Sequence, residues 1–270
     1  MAEPCYPTTA VNKLGRLAKR GSYDYRTIHT ILNTCPILHV SFNDPDHPFP
    51  VVLPMIGCTG NFENQDADPL TTEQDLYIHG YVSGRMFRKG KEATTGEGEE
   101  GEGLPITVAA SFLDGLVLSL TPFHNSLNYR SATAQGHATL LSPTTSQPEI
   151  NYALKLITNS LAPTRWENSR LPPTPAELKS TSILKIRIQT ASAKVRTGGP
   201  SEDRKDLKDG ELVGRVWTGV VPYWGVWGEP VGSGVPGGRE DVEGYIEEWR
   251  VGENARAEEY AIGAVAEGGK

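Results

Sequence analysis

The chain has 270 residues and carries 26 Lys plus Arg against 33 Asp plus Glu, a formal charge of -7 that argues against an extended nucleic-acid footprint. At 37% apolar residues it can bury a core, and its length allows one large or two small domains. Its 29 Gly and 20 Pro point away from a helical bundle and toward strands and turns.

No apolar run of about 18 residues occurs, so no transmembrane helix is expected. The N-terminal stretch MAEPCYPTTAVNKLGRL lacks the apolar core of a secretory signal. Cys5, Cys35 and Cys58 are odd in number and far apart, which supports neither a disulfide framework nor a metal site. The expectation is a cytoplasmic protein with reduced thiols and neither a membrane nor a nucleic-acid partner.

In chain order, Asp24 stands where an N-cap belongs and Ile28, Ile31 and Leu32 follow at helical spacing, which predicts a helix from Asp24 to Asn33, ended by Pro36. Short runs rich in Val, Ile, Leu, Phe and Thr then predict strands at Ile37 to Phe42, Pro50 to Gly57, Leu76 to His79, Leu104 to Phe112 and Leu116 to Leu120. Asp114-Gly115 reads as a hairpin turn between the last two. The acidic segment 88–103, RKGKEATTGEGEEGEG, reads as a flexible insert.

Tyr129 to Leu141 predicts a further strand, bent or bulged at Gly136. Ile150, Ala153, Leu154, Ile157 and Leu161 share one face of a helix over Glu149 to Leu161. In Ser182 to Lys194, Leu184, Ile186 and Ile188 alternate with Lys185, Arg187 and Gln189, the pattern of a half-buried antiparallel strand. The expected fold is mainly β (α+β): a barrel of six or seven antiparallel strands with a few packing helices. Two domains of organisation are expected, a body over 1–232 and an acidic Gly- and Glu-rich tail over 233–270 that is partly helical. Residues 239–270 and 88–103 contribute -5 and -2, so the remaining body is close to neutral.

The GxSxG elbow, HExxH, Walker loop and GxGxxG signatures are all missing, and six scattered histidines show no metal-ligand spacing. Two segments stand out instead. Tyr77 to Met86 takes a strand end into a turn with Ser83, Gly84 and Arg85, the donors that a phosphate needs. Asn128-Tyr129-Arg130-Ser131 sets Arg130 in a strand, where it faces solvent, a partner or an anion. A solvated surface turn and an exposed strand face are the plainer readings of the two.

In their order, Asp24 to Leu32, Pro50 to Met55, Leu76 to Gly80 with Ser83-Gly84-Arg85, Asn128 to Ser131 with Gly136, and Ala191 to Arg196 resemble the pyridoxamine 5'-phosphate oxidase-like flavoproteins. Within them, the chain looks most like the branch related to nitroimidazole-resistance proteins. The resemblance covers about residues 10 to 225. It implies a split barrel that binds FMN at a homodimer interface. It also implies flavin-ring contacts from Val51, Val52, Leu53 and Pro54, a phosphate turn at His79, Ser83, Gly84 and Arg85, and further flavin contacts from Tyr129, Arg130 and Ser131.

Trp217, close to Trp224 and Trp227, is expected either as a lid over the flavin or as part of a packing strand. The acidic tail departs from the Arg-rich end of true pyridoxamine phosphate oxidases and speaks against vitamin B6 oxidation. The implied activity is that of an FMN-dependent oxidoreductase, nitroreductase- or flavin-reductase-like, acting on a small molecule, with NAD(P)H as a candidate donor and His79 as the one titratable group beside the flavin. The alternatives are a non-catalytic protein that sequesters FMN or haem, and a structural barrel without a cofactor.

Overall fold

A computed structural model describes residues 3–95 and 102–266. The chain divides into two compact units, one formed by Met1–Ser111 and Ser131–Ala193, the other by Phe112–Arg130 and Lys194–Lys270. Among the described residues no helix is long and apolar enough to cross a membrane.

The first unit contains β1 (Gly21–Ser22), α1 (Tyr25–Thr34), β2 (Leu38–Phe42), β3 (Val51–Met55), β4 (Gly57–Gly60), β5 (Asp75–Tyr81) and α2 (Arg85–Thr95), followed by α3 (Gln147–Leu161) and α4 (Pro175–Ser180). Three long strands, β6 (Leu104–Leu118), β7 (Ser126–Leu140) and β8 (Thr181–Arg196), start in one unit and end in the other. The strand order is β3-β2-β6-β7-β8-β5-β4, with β1 pairing β8. Its two ends, β3 and β4, are separated in the chain by Ile56 alone. The sheet of the first unit must therefore curl until its ends meet, although among the described residues no ladder joins them: this is a split barrel, mainly β and antiparallel, as expected. With β9 (Gly219–Pro222) in the second unit, its nine strands exceed the six or seven expected from sequence.

Local chemistry explains the helices. Asp24 caps α1 by accepting from the Thr27 N–H at 2.7 Å, and Ile28, Ile31 and Leu32 turn inward. Leu38, Val40, Leu76, Ile78, Leu184 and Ile186 form the buried inner face of the barrel. There α2 lies close, because Gly80 and Gly90 make room for Phe87 and Leu184; a Cβ on Gly80 would stand 2.7 Å from Phe87 Cζ and closer still to Cε2. On the other face, α3 buries Ile150, Ala153 and Ile157 against Cys58, Tyr77 and Ile183. The acidic segment 88–103 is not a flexible insert throughout: its residues 88–95 form most of α2, held by close packing of Gly90 on Leu184, and its residues 96–101 lie outside the described residues.

In the second unit, β9 pairs with the end of β6, and α5 (Gly210–Arg215) and α6 (Gly244–Ala266) complete the fold. One sequence expectation changes here. Asp114-Gly115 is not a hairpin turn: β6 runs straight through it, with Gly115 to Leu118 paired to Pro222 to Gly219. The acidic tail holds a 23-residue helix, supported by Glu247–Arg250 and Glu253–Arg256 pairs one turn apart and by buried Ala261 and Ala264.

Candidate functional site

Strand alternation builds a polar row on one face of the first unit. In β7, Ala132, Ala134 and Ala138 are buried, so Thr133, Gln135 and His137 face outward. On β2, Ser41 stands abreast of Val52 on β3 and Thr107 on β6. Ser41, Asn43, Thr107, Gln135, His137 and Gln189 line a cavity of about 240 Å3. In it, Gln135 Oε1 and His137 Nδ1 are buried without a hydrogen-bond partner. Each such atom costs about 1–3 kcal/mol, an expense that a ligand with a hydrogen-bonding edge would relieve. Gly136, between them, brings β7 against β8: a Cβ there would lie 2.8 Å from the Arg187 carbonyl carbon.

The row ends in charge. Asp44, the next residue after Asn43, has a side chain only 4% exposed and pairs with Arg85 at 3.7 Å and Lys89 at 3.6 Å. Burial opposes its ionisation, but the Asp46 N–H, Lys89, His47 and Arg85 together hold its carboxyl below the ordinary range. Arg85 opens α2, where the first-turn N–H groups have no partner within the helix. The Gly84 N–H donates to the Tyr81 carbonyl at 2.8 Å, and Arg88 donates to the Ser83 carbonyl, so the turn before α2 is fixed. Lys89 also pairs with Asp46 at 3.3 Å and Glu92 at 3.4 Å; Arg85, its side chain 46% exposed, the first N–H groups of α2 and the neighbouring Ser83 hydroxyl are groups of the kind that bind a phosphate.

The other residues singled out from sequence are placed as follows. Val51 to Pro54 form the edge strand β3, Val52 and Pro54 exposed and Val51 and Leu53 half-buried; Pro54 is tolerated because the edge needs no further ladder. His79 does not join Arg85: Gly80 faces Phe87 of α2, so its neighbour His79 faces the opposite side of β5. His79 is half-buried with Nδ1 unpartnered, and burial lowers its pKa. Ser131 lies on the outward face of β7, four residues before Gln135.

In the second unit, Tyr129 is half-buried and Arg130 is engaged within the protein. The Arg130 guanidinium donates from Nη2 and Nε to the buried Asp114 carboxylate at 2.9 and 3.2 Å, and lies over the rings of Tyr260 and Phe112 at 3.5 and 4.5 Å. Trp217 is 64% exposed. Trp227 packs on Trp249 of α6 at 5.2 Å, and the Asn254 side chain holds its backbone N–H and carbonyl.

Sequence reasoning missed Ser41, Asn43, Thr107, Gln135, His137, Gln189, Asp44 and Lys89. The polar alternation Thr133, Gln135, His137 was the one local signal available. The rest depends on register between distant strands.

Three comparisons bear on this arrangement. The family profile described as pyridoxamine 5'-phosphate oxidase matches residues 24–195. The flavocytochrome Anf3 from Azotobacter vinelandii is 26% identical, with a TM-score of 0.65, over 90% of this chain and 97% of that one. The FAD and haem binding protein from Mycobacterium smegmatis is 23% identical, with a TM-score of 0.66, over 86% and 97%. No curated protein matches the chain significantly. The match spans the capped helix α1, the split sheet and the polar row with its cationic end, and on that ground the chain belongs to the pyridoxamine 5'-phosphate oxidase family.

Proposed function

We propose that the protein is a flavin-binding oxidoreductase in which the flavin lies along the row from Val52 through Ser41 and Thr107 to Gln135 and His137, with its phosphate toward Arg85, Lys89 and Ser83. The observation that carries the reading is the pair of buried, unpartnered polar atoms, Gln135 Oε1 and His137 Nδ1, in a row that ends in a phosphate-type donor set. The likeness to a flavocytochrome over 90% of the chain supports it. Bound flavin supplies hydride or electron transfer to a small-molecule substrate.

The protein's part is to hold the ring edge through amide, imidazole and hydroxyl groups and to neutralise the phosphate. Backbone groups on the outer edge of β3 are placed to receive the same ring or a second copy of the chain, and a homodimer that covers the row is part of the proposal. FMN is the flavin proposed, NAD(P)H the donor, and the cytoplasm the location.

A second reading, haem binding, has one observation in its favour: His79 is an imidazole that burial keeps neutral, with a free ring nitrogen of the kind that ligates iron.

The test is the visible spectrum of the purified protein, with mass identification of the molecule released by acid. Released FMN or FAD supports the flavin reading and tells the two apart, and a Soret band lost in His79→Ala supports haem. A colourless protein that takes up no added flavin refutes the proposal, as does unchanged flavin affinity in the Arg85→Ala, Lys89→Ala double variant.

A further inference from the structure

A second cavity of the first unit, of about 930 Å3, shares no lining residue with the polar row. α3 forms its floor, and the segments around Phe62 and from Trp166 to Leu178 form its walls. Its size lies within the range of about 300–1,000 Å3 usual for small-molecule sites. Three aromatic rings, Phe62, Tyr152 and Trp166, line it together with the amides of Gln147 and Asn151.

Two of the rings are fixed in advance, and the third stands on an anchored segment. Tyr152 packs on Phe62 at 5.7 Å and on Tyr77 at 5.8 Å, and its hydroxyl accepts from the Asn61 backbone. Gly60 leaves it room, since a Cβ there would stand 2.6 Å from that hydroxyl. The backbone N–H of Trp166 donates to Asn159 Oδ1 at 2.7 Å, and Asn159 Nδ2 donates to Glu167 at 3.0 Å, which anchors the segment that carries the indole to α3.

The lining is electrically neutral. Its one charged residue, Lys155, is paired with Glu167 at 2.7 Å. Hydrogen bonds from Lys155 and Asn159 hold the Glu167 carboxyl at a pKa of about 2, so the pair stays ionised and balanced. Gln147 Nε2 donates to Asn151 Oδ1 at 3.1 Å, which leaves Gln147 Oε1 as an acceptor and Asn151 Nδ2 as a donor toward a ligand.

We propose that this cavity binds a neutral, flat heteroaromatic compound of two or three fused rings that carries a lactam or amide edge. The rings stack between Trp166 and Tyr152, and the N–H and C=O of the edge meet the amides of Gln147 and Asn151. A charged ligand meets only the Lys155–Glu167 pair, whose charges already balance each other.

Quinolin-2(1H)-one is the probe, measured with the full chain by saturation-transfer NMR and equilibrium dialysis. The expected dissociation constant is about 1 mM or below, weakened about tenfold in Trp166→Ala and about fivefold in Asn151→Leu. Quinoline-2-carboxylate is expected to bind about tenfold more weakly than the lactam. Arg85→Ala leaves the affinity for the probe unchanged, so failure here is distinguishable from failure of the flavin reading. Asn151 is exposed on α3, and its variant carries the test if Trp166→Ala does not fold. Absence of saturable binding, equal affinity in the parent and the folded variants, or equal binding of the carboxylate would overturn the proposal.

Discussion

Arg130 separates two uses of one cation, and the substitution Arg130→Ala decides between them. Its partner Asp114 has a side chain 4% exposed, while that of Arg130 is 18% exposed. Removing one member of such a pair leaves a buried carboxylate uncompensated, at a cost of about 3–5 kcal/mol. Loss of the guanidinium over Tyr260 and Phe112 adds about 1 kcal/mol. The expected destabilisation is therefore about 4–6 kcal/mol. Replacing both residues, as Asp114→Leu with Arg130→Met, removes both charges together and is expected to cost less than about 2 kcal/mol. Urea unfolding followed by tryptophan fluorescence is the assay, since Trp217, Trp224, Trp227 and Trp249 all belong to the second unit. If Arg130→Ala stays within about 1 kcal/mol of the parent and loses flavin, the pairing argument is wrong and Arg130 holds an anion.

Gly136→Ala forces a methyl against the Arg187 backbone of β8 and is expected to cost about 2–3 kcal/mol in urea unfolding, whereas Gly199→Ala, with open space around it, is nearly neutral. A cost below about 1 kcal/mol at Gly136 would show that β7 and β8 separate easily. Gln135→Leu is expected to raise the flavin dissociation constant about tenfold while leaving the flavin-free melting temperature equal or higher, because an unsatisfied buried acceptor is removed; lower stability with unchanged flavin affinity contradicts the site.

His29 accepts from the Tyr6 hydroxyl at 2.6 Å and donates from Nδ1 to the Pro69 carbonyl, and burial lowers its pKa below 6.5. As pH falls below 6.5 the unfolded chain takes up the proton first, so the stability that His29 contributes is complete above that pH and declines toward its folded pKa. His79 shifts in the same direction. His29→Gln should therefore flatten, without abolishing, the slope of stability against pH in this window, and an unchanged slope would count against the assignment.

Local chemistry was readable where the cause is local. Asp24 announced α1 through its cap, and the alternation around Leu184 and Ile186 announced β8. Asp114-Gly115 misled because its straight course depends on pairing with Pro222 and Val221, more than a hundred residues away. Arg85 was legible as a cation after a turn, but its partner Asp44 was not, since their proximity comes from packing. The row of Ser41, Thr107, Gln135 and Gln189 spans four strands, and no window of sequence contains that convergence. Grouping His79 with Arg85 overlooked the two-residue period, which turns adjacent side chains of one strand to opposite faces.

Five register pairs join β2 to β3, four join β4 to β5 and seven join β5 to β8, but among the described residues no ladder joins β3 to β4, which the chain links through Ile56. Widening the first unit there breaks no ladder among the described residues, and is opposed instead by side-chain packing, with Leu38 of β2 against Gly57 of β4, and by the Asn33–Thr59 hydrogen bonds that tie α1 to β4. The seam is thus held by side chains rather than by a ladder, and the edge strand with Val52 lies beside it. A molecule seated on β3 and β2 orders one bank of that seam, so occupancy of the row and slower amide exchange along the edge strand β3 should rise together.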